Sequence, residues 1–180
     1  MRRNSRPLKR DHHEQNHLNS KLKLSLASCI FCKIIKGKVI SSDLEQGYID
    51  LALPQPGEIP SYKLIETDLS FSFLDVGPLS KGHALIVPKF HGEKLHDLPD
   101  EHLVDILPIA KKIAIAQGLA DYNVLQNNGA IAHQVVPHVH FHVIPKPSAS
   151  NDEGLVIGWP TQTFEKEEMQ KIYEEIKQKL

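Results

Sequence analysis

The sequence predicts an α+β domain built on a mostly antiparallel sheet, with one central helix and one C-terminal helix. Three observations carry that prediction. Short β-patterned runs follow one another at 61–67, 71–75, 84–87 and 122–126 and again from His138 onward. A single helix-spaced segment, 99–119, separates the third run from the fourth. Met169, Ile172, Tyr173, Ile176 and Leu180 then recur at helical spacing near the C-terminus.

The first 28 residues are polar and charged, with seven Lys/Arg against Asp11 and Glu14 and no apolar periodicity before Leu22. They read as a disordered basic tail. Cys-Ile-Phe-Cys-Lys-Ile-Ile, from Cys29 to Ile35, suits one or two helical turns closed by Gly37. Residues 38–57 break the pattern with Ser-Ser and Pro-Gln-Pro-Gly and read as a long loop or insertion. The runs at 61–67 and 71–75 alternate as the two arms of a hairpin. Ala84-Leu85-Ile86-Val87 is continuously apolar, as in a strand covered on both faces. In the central helix Pro99 suits the first turn and Gly118 the end, while Pro108 predicts a kink. Asn127-Asn128-Gly129 is a turn signal, and Thr163 is the expected N-cap of the last helix.

Residues 29–180 therefore read as one domain. Hydrophobic residues at 41%, charged residues at 24% and a net charge of −1 exclude a fibre and give no basic field for nucleic acid. No apolar run approaches the roughly 18 residues that span a bilayer, so no membrane partner is expected. The expected location is the cytoplasm, with the nucleus as an additional site; Asp11, Glu14 and the missing amphipathic pattern disfavour a mitochondrial leader. Cys29 and Cys32 form the one C-x-x-C, which reads as a metal half-site, a redox pair or two core residues of a short helix. No thioredoxin-like βαβ pattern surrounds it, which ranks metal above redox.

The chemistry concentrates in His138-Val139-His140-Phe141-His142. Side chains on a strand alternate between faces, so the three imidazoles share one face and Val139, Phe141 and Val143 the other. A neutral imidazole carries a lone pair that can attack phosphorus, and same-face neighbours about 6.5–7 Å apart suit a phosphate lying along them. Two such histidines could instead ligate zinc, or the run could be a solvated histidine-rich edge.

The run from Asn127 through Gln134 and the three histidines to Pro145 resembles the signature of the histidine-triad nucleotide-binding proteins. The resemblance extends to Phe73-Leu74-Asp75-Val76-Gly77-Pro78, to Gly82-His83-Ala84-Leu85-Ile86-Val87-Pro88-Lys89-Phe90-His91 and to Gly158-Trp159-Pro160. The last block is similar to the branch, fungal members especially, that hydrolyses adenosine 5′-monophosphoramidates. The resemblance implies a homodimer formed through the central helix and the 122–127 strand, a purine nucleotide substrate of the AMP type, and cleavage of a P–N bond through a nucleotidyl-histidine. His140 would attack the α-phosphorus, His138 and His142 would flank it, and His83 would complete a quartet near the leaving group. Asp75 would accept hydrogen bonds from the ribose hydroxyls, although alone it would read as a turn residue before Gly77-Pro78. Phe73 and Val76 would line the base pocket; Asn127, His133, Gln134 and Val135 would hold the phosphate region. Trp159 would sit near the nucleotide.

Where the family often has glycine this chain has His133, and Val135 stands where many members carry a small hydroxyl residue. The resemblance also implies a structural zinc on Cys29, Cys32, His91 and His138, a closed Cys₂His₂ set with no site for activated water, so that catalysis would need no metal. Joining Gly37 to Glu58 would restore the family's run into the first strand, isolating Lys38 to Gly57 as 20 extra residues, a surface loop or a retained intron that transcript sequencing distinguishes. The alternatives to the phosphoramidase reading are a diadenosine polyphosphate hydrolase and a nucleotide-binding regulatory protein with incidental turnover.

Overall fold

The structure, a computed structural model, describes residues 28–36 and 62–180. Apart from Ser28, the tail and the 38–57 insertion lie outside the described residues. Five strands form one sheet: β1 (Lys63–Glu66), β2 (Ser70–Leu74), β3 (Ala84–Pro88), β4 (Tyr122–Gln126) and β5 (Phe141–Pro145). Their order is β1-β2-β3-β5-β4, and every neighbouring pair is antiparallel. Among the described residues three α-helices accompany it: α1 (Ile30–Ile35), α2 (Ile106–Ala116) and α3 (Lys166–Lys177). The α+β class read from the sequence is the fold observed, and no helix among the described residues is long and apolar enough to cross a membrane.

β3 shows why the sheet has two dry faces. All five of its residues are buried. Leu85 and Val87 pack with Phe71, Phe73 and the α1 residues Phe31 and Cys32. Ala84 and Ile86 pack with Ile106, Ile109, Ala110 and Ile113 of α2. Period-two alternation thus sends one set of side chains to each helix. Each fully buried isoleucine on the α2 side contributes about 1.5–3 kcal/mol.

The central helix starts later than its apolar spacing predicts. Two 3₁₀ turns, Leu95–Asp97 and Asp100–His102, occupy the ground before it, and α2 begins at Ile106. Pro108 therefore falls in the first turn, where its missing N–H is one of the donors a helix start leaves without a partner, and it causes no mid-helix kink. The N-cap of α3 is Glu165 rather than Thr163, with Glu167 and Glu168 in the first turn and Lys177 in the last to suit the helix dipole.

Asp105, just before α2, locks this helix to the β1–β2 turn. Its carboxylate accepts from the Thr67 hydroxyl at 2.6 Å and from the fully buried Ser70 hydroxyl at 2.7 Å. Asp105→Ala leaves the Ser70 hydroxyl in a dry site without its acceptor, and urea unfolding should register a loss of about 2–4 kcal/mol. Asp105→Asn, which keeps one acceptor oxygen, should lose less.

Candidate functional site

The triad is only partly in the sheet: β5 begins at Phe141, so His140 precedes it and His138 sits at the end of a bend. The backbone N–H of Val139 bonds to the Gly92 carbonyl at 2.8 Å, which ties this lead-in to the loop after β3. Within β5, His142 lies opposite Leu85 on one side and Leu125 on the other. Val139 and Val143 are fully buried, Val143 among the α2 residues. The alternation expected from the sequence holds: the histidine side chains meet the α1 side, where Phe31 contacts the rings of both His138 and His140.

Backbone groups fix the tautomers of His140, His138 and His83, and His83 fixes that of His142. A carbonyl can only accept, so the 2.7 Å contact between His140 Nδ1 and the His138 carbonyl puts the proton on Nδ1 and the lone pair on Nε2. His138 donates from Nε2 to the Pro88 carbonyl at 2.8 Å, which leaves its Nδ1 as the lone-pair nitrogen. A backbone N–H can only donate: Leu79 N–H reaches His83 Nδ1 at 3.1 Å, so His83 carries its proton on Nε2. That proton is donated to His142 Nδ1 at 3.0 Å, and the neutral His142 ring in turn carries its own on Nε2. The rings of His140 and His142 are 4.9 Å apart. A ring with its lone pair on Nε2 and a ring with its proton on Nε2 are therefore neighbours.

Burial keeps these imidazoles neutral. It lowers the pKa of His140 and of His83, partly opposed in both by the Asp75 charge. It brings His142 to about 3, helped by repulsion from His140 and His83. Because the native pKa of His142 and His83 lies below the ordinary value of about 6.5, the unfolded chain holds protons there that the native state refuses. Stability should be flat above about pH 7 and fall on acidification below about 6.5, by about 1.4 kcal/mol per pH unit for each such histidine. Urea midpoints of wild type and His142→Gln between pH 4 and 8 test this, the variant showing the shallower acid slope.

On the core side of the triad, Cys29, Cys32, His91 and His138 gather with ligand atoms all within 4.8 Å of one another. His138 Nδ1 lies 3.4 Å from Cys29 Sγ, 3.5 Å from Cys32 Sγ and 3.1 Å from His91 Nδ1. Cys32 Sγ is 3.4 Å from the same His91 nitrogen. Tetrahedral zinc would place N and S donors about 3.6 Å apart and two N donors about 3.3 Å apart, so the four residues fit the metal. The Pro88 carbonyl is the outer partner that turns the His138 lone pair toward the thiols. Burial, followed by the adjacent Cys29, pushes the Cys32 thiol up to about 12, a cost that a bound dication would reverse.

His138 is held from two sides. Its Nε2 donates to the Pro88 carbonyl, its Nδ1 faces Cys29, Cys32 and His91, and its own carbonyl accepts from His140 Nδ1. Gln134 is likewise engaged: its Oε1 accepts from Gly129 N–H and its Nε2 donates to the Glu93 carbonyl, both at 2.6 Å, so its carboxamide braces two loops. Asp75 divides its oxygens. Oδ1 caps Gly77 N–H at 2.9 Å, as a turn residue would, while Oδ2 lies 3.5 Å from His83 Nδ1 and the side chain stays partly open. Phe73 is nearly fully buried against Phe31 and Phe71, beneath the site rather than on an open wall, whereas Val76 is half-buried and Val135 exposed. Asn127 Nδ2 donates to the His133 carbonyl at 3.3 Å. His133 has φ of 63°, a left-handed conformation that glycine adopts freely, which explains why glycine suits this position. Trp159 is exposed. Sequence reasoning missed Phe31, whose signal was its place inside the C-x-x-C, and the backbone partners at Leu79 and Pro88, which leave no signal in side-chain identity.

A family model described as the HIT domain matches residues 56–149. The chain belongs to the HIT family. This HIT protein is 51% identical over 154 residues to adenosine 5′-monophosphoramidase HNT1 of Saccharomyces cerevisiae, covering 86% of this chain and 84% of that one. It is 50% identical over 153 residues to adenosine 5′-monophosphoramidase hnt1 of Schizosaccharomyces pombe, covering 85% and 98%. The solved histidine triad nucleotide-binding protein from Candida albicans superposes with a TM-score of 0.68 at 45% identity, over 84% of this chain and 96% of that one.

Proposed function

We propose that this HIT protein hydrolyses adenosine 5′-monophosphoramidates to AMP and an amine. The observation that carries the reading is the fixed tautomer of His140, which presents an Nε2 lone pair next to the His142 ring with its proton on Nε2. The activity named for relatives at 50–51% identity supports it. His140 Nε2 attacks the α-phosphorus and the P–N bond breaks as the leaving nitrogen, held by a hydrogen bond from His142 Nε2–H, takes a proton from solvent and departs as the amine. The imidazolium formed on His140 is stabilised by its Nδ1–H bond to the His138 carbonyl. Water then attacks the nucleotidyl-histidine, the P–N bond to His140 breaks, AMP is released, and the proton that water gives up returns to solvent, balancing the one taken up by the amine. Asp75 Oδ2 is the acceptor for the ribose hydroxyls. Incubation with an adenosine phosphoramidate and with diadenosine triphosphate tests the substrate class. Turnover of the first is expected; cleavage of the second alone would overturn it.

Cys29, Cys32, His91 and His138 hold a structural zinc in this reading, which ties α1 to the lead-in of β5 and leaves the phosphoryl chemistry to the imidazoles. The protein acts as a homodimer. Leu107 and Ile115 stand 63% and 69% exposed two turns apart on α2, and Tyr122 and Val124 are exposed on β4, a strand at the sheet edge. Sedimentation should give a dimer for wild type and a monomer for Leu107→Glu.

A further inference from the structure

Phe31 connects α1 to the nucleophile. It lies between the two cysteines in the chain, is 6% exposed, and sets its ring against three others. The His140 ring is 5.0 Å away at an interplanar angle of 69°, His138 is 5.9 Å away at 80°, and Phe73 is 6.1 Å away at 66°. All three are inclined, edge-type contacts, the favourable arrangement for aromatic pairs.

The hydrogen bond from His140 Nδ1 to the His138 carbonyl fixes the direction of one nitrogen. It leaves the imidazole free to pivot about the line joining them, which swings Nε2. A second contact must stop that pivot, and on the α1 side that contact is Phe31. The C-x-x-C spacing does not itself require an aromatic residue between the thiols, so the metal cluster leaves this ring unexplained. We infer that Phe31 is a positioning residue, its ring setting the plane of the His140 imidazole so that the Nε2 lone pair is held in line with the α-phosphorus. It acts through the His140 ring and takes no part in the bond exchange. Displacements of about 1 Å in such a geometry lower rates about a hundredfold.

The inference rests on His140 being the nucleophile, and the experiment separates the two. Phe31→Leu keeps apolar bulk but not a planar wall; Phe31→Tyr keeps the ring. In wild type, ¹⁵N spectra of the His140 ring should show a protonated Nδ1 and a bare Nε2 in one sharp state. Phe31→Leu should lower kcat on an adenosine phosphoramidate at least tenfold, leave KM within threefold, and broaden or average the His140 ring signals. Phe31→Tyr should stay within threefold of wild type in all three. Unchanged kcat and ring signals in Phe31→Leu would overturn the inference, as would a change in KM alone or equal losses in both variants. If wild type turns over no phosphoramidate, the nucleophile reading fails, and the ¹⁵N spectra still decide whether Phe31 fixes the ring.

Discussion

His140→Ala is expected to lower turnover of an adenosine phosphoramidate by about 10³–10⁶-fold, while the affinity for AMP changes less than tenfold. The asymmetry follows from the site. His140 is the ring whose proton is held by a carbonyl on one side and whose other nitrogen is left with a lone pair. Alanine removes the attacking atom, not the groups that hold the nucleotide. His83→Ala should behave differently. Its ring is one step back, donating to His142 Nδ1 and fixing where the His142 proton sits. Loss of that donor lets His142 adopt either tautomer, so a smaller effect of about 10²–10⁴-fold on kcat is expected, within the range of a proton-transfer contribution. Rapid-quench detection of a nucleotidyl-protein adduct separates the two. His83→Ala should still form the adduct slowly, and His140→Ala should form none. Residual turnover in His140→Ala within tenfold of wild type would remove it from the role of nucleophile.

Stripping metal from the Cys29–Cys32–His91–His138 cluster should cost about 4 kcal/mol or more of folding stability, and replacing Cys32 with serine should make the protein indifferent to a chelator. Without metal the cluster is two buried thiols beside one buried and one half-buried imidazole, with the Cys32 thiol held protonated to about pH 12. Such a group can be satisfied by weak hydrogen bonds, but it gains nothing from being assembled. With zinc, four ligands from α1, the loop after β3 and the approach to β5 are bound at one point. Metal analysis should give one zinc per chain for wild type and none for Cys32→Ser. If the cysteines were only core residues, Cys32→Ser would cost about 1–2 kcal/mol and the chelator would leave wild-type unfolding unchanged.

Much of this site is legible in the residues because its geometry follows a period. The spacing of two in His138-Val139-His140-Phe141-His142 separates a chemical side from a packed one, and that separation is the observed one even though the regular strand begins only at Phe141. The continuous run at β3 marked a strand buried on both faces, and it is. The start of α2 was less legible. Apolar spacing continues through Leu103, but the two 3₁₀ turns hold that stretch out of the helix, and Pro108, which would kink a helix begun at Pro99, sits in the first turn of one begun at Ile106.

The sequence by itself therefore determined the α+β class, the strands, the histidine face and the thiol pair. Each of these is set by the order of side chains along one local element. Which partner each imidazole meets, and hence which nitrogen carries its proton, depends on how distant segments pack. His138 turns to the thiols because the Pro88 carbonyl, fifty residues away, takes its other nitrogen. His142 keeps its proton on Nε2 because the Leu79 N–H dictates the tautomer of His83. Phe31 meets His140 because α1 packs over β3. These are contacts to backbone atoms and ring edges brought together from distant parts of the chain. Every residue carries the same backbone donor and acceptor, so no pattern of side chains announces which one will be used.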